Sequence, residues 1–99
     1  MPENPLKVFE ILDPELLKAV ENNRELALSD GALPKKFKYL IAMALDAAHG
    51  TESGVASLAQ AAMLAGASKE EVAEALRVTY FIAGVGSTYT AAHGLAGLL

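Results

Sequence analysis

The 99-residue chain contains no cysteine. That absence removes disulfides, thiolate metal sites and every mechanism that needs a nucleophilic or redox-active thiol. Charge is scarce as well. Only 20% of the residues are charged, and between Lys38 and Lys69 the sole charged side chains are Asp46 and Glu52. The net charge of −4 comes with no basic stripe and no aromatic ladder, so no nucleic-acid partner is expected. The apolar run from Tyr39 to Leu45 is broken by Asp46, His49, Gly50 and Glu52, well short of the roughly 20 residues of a spanning helix. At the N-terminus Glu3, Asn4 and Lys7 interrupt any signal-like apolar core, and a cytoplasmic location without membrane association is expected.

What the chain has in quantity is apolar surface, at 53% hydrophobic residues. Its length predicts one domain over residues 1–99. A domain this small buries only a modest share of its surface alone. The excess predicts a homo-oligomer whose helices pack across subunits.

Helix signals punctuate the sequence, and nothing reads as a strand. Asn4-Pro5 opens a short helix carrying Leu6, Phe9, Ile11 and Leu12. Asp13-Pro14 is a cap followed by proline at the first helical position, opening a second helix to about Ala27. Leu33-Pro34 starts a third, running to about His49. It is basic in its first turn (Lys35, Lys36, Lys38) and then apolar nearly all round, the pattern of a buried helix. Gly50 ends it and Thr51 is placed to cap a helix over Glu52 to Leu64, whose small residues allow close approach of its neighbours. Gly66 suits the left-handed position after that helix. Ser68-Lys69-Glu70-Glu71 is a capping box. The helix it opens reaches the break at Gly84-Val85-Gly86, after which Ser87 is placed to cap a last helix to about Leu98. The predicted fold is all-α, a bundle of five to six helices.

The segment from Leu33 to His93 resembles the carboxymuconolactone decarboxylase / alkylhydroperoxidase D family. The residues that carry the likeness are His49-Gly50-Thr51-Glu52-Ser53-Gly54-Val55, the Ala-rich helix to Gly66, the capping box, and Tyr80-Phe81-Ile82-Ala83-Gly84. The resemblance implies an all-helical unit with its site at one helix start, assembled as a trimer or hexamer. Cysteine-bearing members carry two cysteines three apart at that helix start. A histidine follows four residues later, then an alanine and a glycine at four-residue steps. With Ala62 and Gly66 set on the last two, the cysteines fall on Thr51 and Gly54, the histidine on Leu58 and an upstream relay glutamate on Tyr39. All four are changed, and thiol-dependent peroxide reduction has no attacking or resolving thiol. The decarboxylase branch also lacks the cysteines, and Gly84 and His93 match its pattern. That branch keeps a histidine where Leu58 stands and an acid near Gly54, and Gly86 replaces its usual proline.

The polar groups left for chemistry are few. His49, Glu52 and His93 are the candidate catalytic residues; Tyr39, Asp46, Thr51 and Gly54 are the candidate ligand-binding ones. Asp46 and His49, three apart on a helix, share a face. In a functional reading Asp46 orients His49, which exchanges a proton with a small acidic or carbonyl ligand held by the N–H groups of Thr51 to Gly54. In a structural reading the helix dipoles alone favour His49 at a C-terminus and Glu52 at an N-terminus. His93 has the same two readings, a pocket group or a half-buried histidine bonded to a carbonyl or to water. Ser53, Ser57 and Gln60 are candidate polar lining. Asp46, His49 and Glu52 are also donors that a divalent metal takes, but they straddle a turn and match no strong metal signature, so neither a metal nor a cofactor is expected.

The functional expectation is a family member binding a small organic ligand between helices, with non-redox acid–base chemistry. If an enzyme, it stands nearer the decarboxylases than the thiol peroxidases. The alternatives are a non-catalytic oligomeric binding or structural protein, and the family's own peroxidase or decarboxylase activity, against which the missing residues stand.

Overall fold

Cap residues set most of the helix boundaries. In a computed structural model describing residues 4–99, a single 3-10 turn (Pro5–Val8) leads into α1 (Phe9–Leu12) and α2 (Pro14–Leu28). Then come α3 (Lys35–His49), α4 (Glu52–Leu64), α5 (Lys69–Ala83) and α6 (Val85–Leu95). The Asp13 carboxylate accepts from the Leu16 N–H at 3.0 Å, with Pro14 at the first helical position. Ser68 and Glu71 close both hydrogen bonds of the capping box, at 2.9 and 3.0 Å. All three match the cap chemistry read from the sequence, as does the all-helical architecture, with no strand among the described residues.

Gly50, at φ 83°, ends α3 in a Schellman arrangement: its N–H reaches the Ala47 carbonyl and the Thr51 N–H reaches that of Asp46. A left-handed residue is needed there, and glycine supplies it without steric cost. Gly66 closes α4 in the same way, with Ala67 bonded back to Ala62.

The last helix departs from expectation. Gly84, at φ 88°, already makes the break, so α6 begins at Val85 and Ser87 lies inside its first turn. There the Ser87 hydroxyl donates to the Gly84 carbonyl at 2.6 Å instead of capping. The helix also ends at Leu95, three residues earlier than expected.

α4 packs between α3 and α6. The core is Leu40, Met43 and Ala47 from α3, Val55, Ala59 and Ala62 from α4, with Ala67, Val72 and Ala91 around them. Five of these nine are alanines, and each buried methylene contributes only about 0.8 kcal/mol. Small residues let the helices approach but leave the core thin. α3 and α5 run side by side in one direction: Lys36 bridges Glu71 at their first turns, 3.1 Å apart, and Leu45 and Ala48 lie beside Ile82 and Ala83 at the other end.

α3 is not the helix buried on all sides that its composition suggested. One face is covered, while Phe37, Ile41 and Leu45 stay exposed on the other. The N-terminal arm, Pro5 to Leu28, contributes no buried residue at all. No helix among the described residues is long and apolar enough to cross a membrane.

Candidate functional site

The start of α4 is where chemistry-bearing residues gather. Glu52 occupies its first turn, and Gly94 on α6 lies against it. A Cβ on Gly94 would stand 2.6 Å from the Glu52 carbonyl oxygen and 3.0 Å from the Val55 Cβ, so only glycine permits this approach. The crossing brings the preceding residue, His93, over Glu52. Its Nδ1 stands 2.9 Å from Glu52 Oε2. A carboxylate can only accept, so Nδ1 carries the proton, and Nε2 has no hydrogen-bond partner among the described residues. Both side chains are more than half exposed in the lone chain, at 66% for His93 and 54% for Glu52.

An open cleft of about 330 Å³ begins beside this pair, between α4 and the end of α6. It is lined by Ala56, Ser57, Gln60, Gly94, Gly97 and Leu98. Neither His93 nor Glu52 lines it, but Gly94 follows His93 directly and Ala56 lies one helical turn beyond Glu52, so each is a near neighbour of a lining residue. Ser57 and Gln60 supply its hydroxyl and amide.

Asp46 belongs to the same end of the bundle but faces elsewhere. Its half-buried carboxylate occupies the space where a Cβ on Gly54 would project, beside the Thr51 methyl. It makes no hydrogen bond with His49 among the described residues. The Thr51 N–H is spent on the Asp46 carbonyl at 2.9 Å, and the Thr51 hydroxyl makes no cap bond. The helix start that was expected to receive a ligand's anion thus has the chain's own carboxylate beside it, which suits the helix dipole.

His49 ends α3 as an exposed side chain, apart from the Glu52–His93 contact. Tyr39 lies further still, ten residues or about 15 Å back along α3. It lines an open cleft of about 340 Å³ with Glu21, Arg24, Glu25 and Lys35, and packs partly on the core. Leu58, where the resemblance sets the family's motif histidine, is half-buried against the core. Of the seven candidate residues, then, Glu52 pairs with His93, Asp46 packs with Thr51 and Gly54, and His49 and Tyr39 stand apart. No three acidic or histidine side chains among the described residues come together as a metal-binding group.

The sequence reading did not single out Gly94 or Gly97, and it named Ala56 only among the small residues that let helices approach. The available signal was the pair of glycines three apart directly after His93, since small residues at helical spacing mark a close approach.

The model of the carboxymuconolactone decarboxylase family matches residues 14–96. A solved structure with a similar fold is that of an apo carboxymuconolactone decarboxylase family protein from Legionella pneumophila. It is 34% identical, with a TM-score of 0.85 over 92% of this chain and 81% of that one. Comparison with curated proteins gives no significant match.

Proposed function

Because the chain belongs to the carboxymuconolactone decarboxylase family, we propose that it binds a small carbonyl compound in the α4–α6 cleft and exchanges a proton with it through His93. The single observation that carries this reading is the 2.9 Å contact between His93 Nδ1 and Glu52 Oε2, across 41 residues of sequence. A carboxylate that holds Nδ1–H fixes the tautomer and aims Nε2 outward. Nε2 takes a proton from carbon beside the ligand's carbonyl, or returns one. Glu52 stabilises the imidazolium formed in between. Ser57 and Gln60 are in position to hydrogen-bond the ligand's oxygen atoms. The Glu52 carboxylate already faces His93, so a neutral carbonyl group suits the reacting end better than a second anion. Peroxide reduction by the family's thiol route has no place in this chain, which has threonine and glycine at the two cysteine positions.

A second reading rests on the exposure of the same pair. An exposed contact of this kind contributes little to stability, about 0–1 kcal/mol even where both groups are charged, yet it ties α6 to α4. On that reading the contact is structural and the protein is a non-catalytic member.

NMR titration separates the two. Carboxymuconolactone and small lactones and keto compounds are added, and the resonances of His93, Ser57 and Gly97 are followed. Shifts confined to those residues, lost in His93→Gln while the fold is retained, support the ligand site. Unmoved resonances with every compound, or shifts unchanged in His93→Gln, overturn it.

A further inference from the structure

Along the seam between the N-terminal arm and α3 lies a further cleft, open and of about 300 Å³. Its α3 wall is Lys38, Ile41, Ala42 and Leu45, one helical stripe at i, i+3, i+4 and i+7. Ala27 and Leu28 at the end of α2, with Leu33 from the linker, form the other wall. A bond from the Gly31 N–H to the Leu33 carbonyl, at 3.1 Å, folds that linker back on itself. Every lining residue but one is an alanine, a leucine or an isoleucine.

The exception stands at one end. Lys38 is half-buried, and its Nζ donates to the Ser29 carbonyl at 2.7 Å. An ammonium has three donors, so the bond to Ser29 leaves two unused. Lys38 makes no ion pair among the described residues, and no carboxylate lines the cleft. The one acid of the linker, Asp30, is turned onto the start of α3, where it accepts from the Lys35 N–H at 2.7 Å. From Lys38 to Leu45 the apolar trough runs seven residues of helix, roughly 10 Å.

We propose that this cleft binds a medium-chain aliphatic carboxylate, its carboxylate on Lys38 Nζ and its chain laid along Ile41, Ala42 and Leu45 towards the open end. What singles out such a ligand is the amine. A seam left by loose packing needs no charge, and a half-buried ammonium on a single carbonyl lacks the counter-ion that burial favours. A bilayer is a poorer occupant, since a lipid-binding face carries several lysines or arginines around its apolar centre. Here one lysine lines the cleft, in a chain of net charge −4. A dicarboxylate is poorer too, because the far end of the trough meets it with Leu45 alone. Ala27 and Leu28 belong to the arm, so a bound chain also pins the end of α2 to α3. The cleft shares no residue with the one between α4 and α6, so its ligand is independent of the chemistry of His93 and either can fail alone.

Sodium octanoate, kept below its micellar concentration, is the probe. Calorimetric titration of the wild type should show saturable binding, and amide NMR should place the shifts on Ala27, Leu28, Leu33, Ile41 and Ala42. Octan-1-ol, which has the chain without the charge, should bind about tenfold more weakly, and Lys38→Gln should weaken octanoate by a similar factor. Lys35→Gln, one turn earlier on α3 and outside the cleft, should leave octanoate binding unchanged. Lys38→Gln also releases the linker, so Ile41→Asp is the second variant. It keeps the bond from Lys38 to Ser29, replaces a half-exposed side chain, and should abolish binding with helicity retained. Absence of octanoate binding overturns the proposal. Cosedimentation with phosphatidylglycerol vesicles would then name a bilayer as the occupant, and a mass above 10.3 kDa by light scattering a second copy. Octan-1-ol or Lys38→Gln binding at full strength overturns it as well, because the amine then recognises nothing.

Discussion

The Asp46 carboxylate fills the space into which any side chain at position 54 would project, so Asp46 and Gly54 are mutually determined. Gly54 is where the family resemblance sets the second cysteine of the cysteine-bearing members, and the pairing leaves no room for a side chain there. A thiol at that site would meet a carboxylate group already in place.

One test follows directly. Alanine is the better helix former by about 1 kcal/mol, so on propensity alone Gly54→Ala would stabilise α4. The clash with Asp46 reverses the sign, and the variant should lose about 1–3 kcal/mol by chemical denaturation. Asp46→Ala in the same chain should restore most of the loss, a coupling that a double-mutant cycle measures.

The α4–α6 crossing makes a second prediction. In Gly94→Ala the new methyl meets the Glu52 carbonyl and Val55, and neither is a flexible side-chain tip. Stability should fall by about 1–3 kcal/mol, and α6 should shift away from α4. The His93 ring signals should move as its contact with Glu52 lengthens, whereas Gly97→Ala, with open space around it, should leave them in place.

A third concerns acid. Glu71 accepts from the Ser68 N–H and pairs with Lys36, which together hold its carboxyl below the ordinary value of 4.5. A depressed folded value contributes stability above the unfolded pKa and loses it as pH falls through the folded one. Melting temperature should therefore drop as pH falls below about 4.5, and drop less in Glu71→Gln. Ser68→Ala, which removes the other half of the capping box, should cost about 1 kcal/mol at neutral pH.

The helix starts at Pro14 and Lys69 and the stop at Gly50 were legible because each is written in local chemistry. A cap, a proline and a left-handed glycine act within four residues of themselves. Ser87 misled for the same reason in reverse. Its type suits a cap, but Gly84 three residues earlier had already turned the chain. The family likeness, carried by the turn at Gly50 and the residues up to His93, led to the right fold. The site was legible only as a list of scarce polar groups. That Glu52 would pair with His93, while His49 and Tyr39 stood apart, depends on the angle at which α6 crosses α4, and Gly94 sets that angle. The exposed outer face of α3 was unreadable in another way: an apolar composition says that a surface wants covering, not which chain covers it.

The N-terminal arm has a consequence for how the molecule opens. A fifteen-residue helix with no buried side chain is near the length at which isolated helices are marginal in water. Its amides between Leu17 and Leu28 are the first to open to solvent, through local fraying that leaves the rest of the bundle intact. Those of α3 and α4 around Met43 and Val55 open only when the whole core does. A protease presented with the folded chain therefore meets two bodies of different durability. It clips the arm early, and what survives longest is the bundle that begins near Lys35.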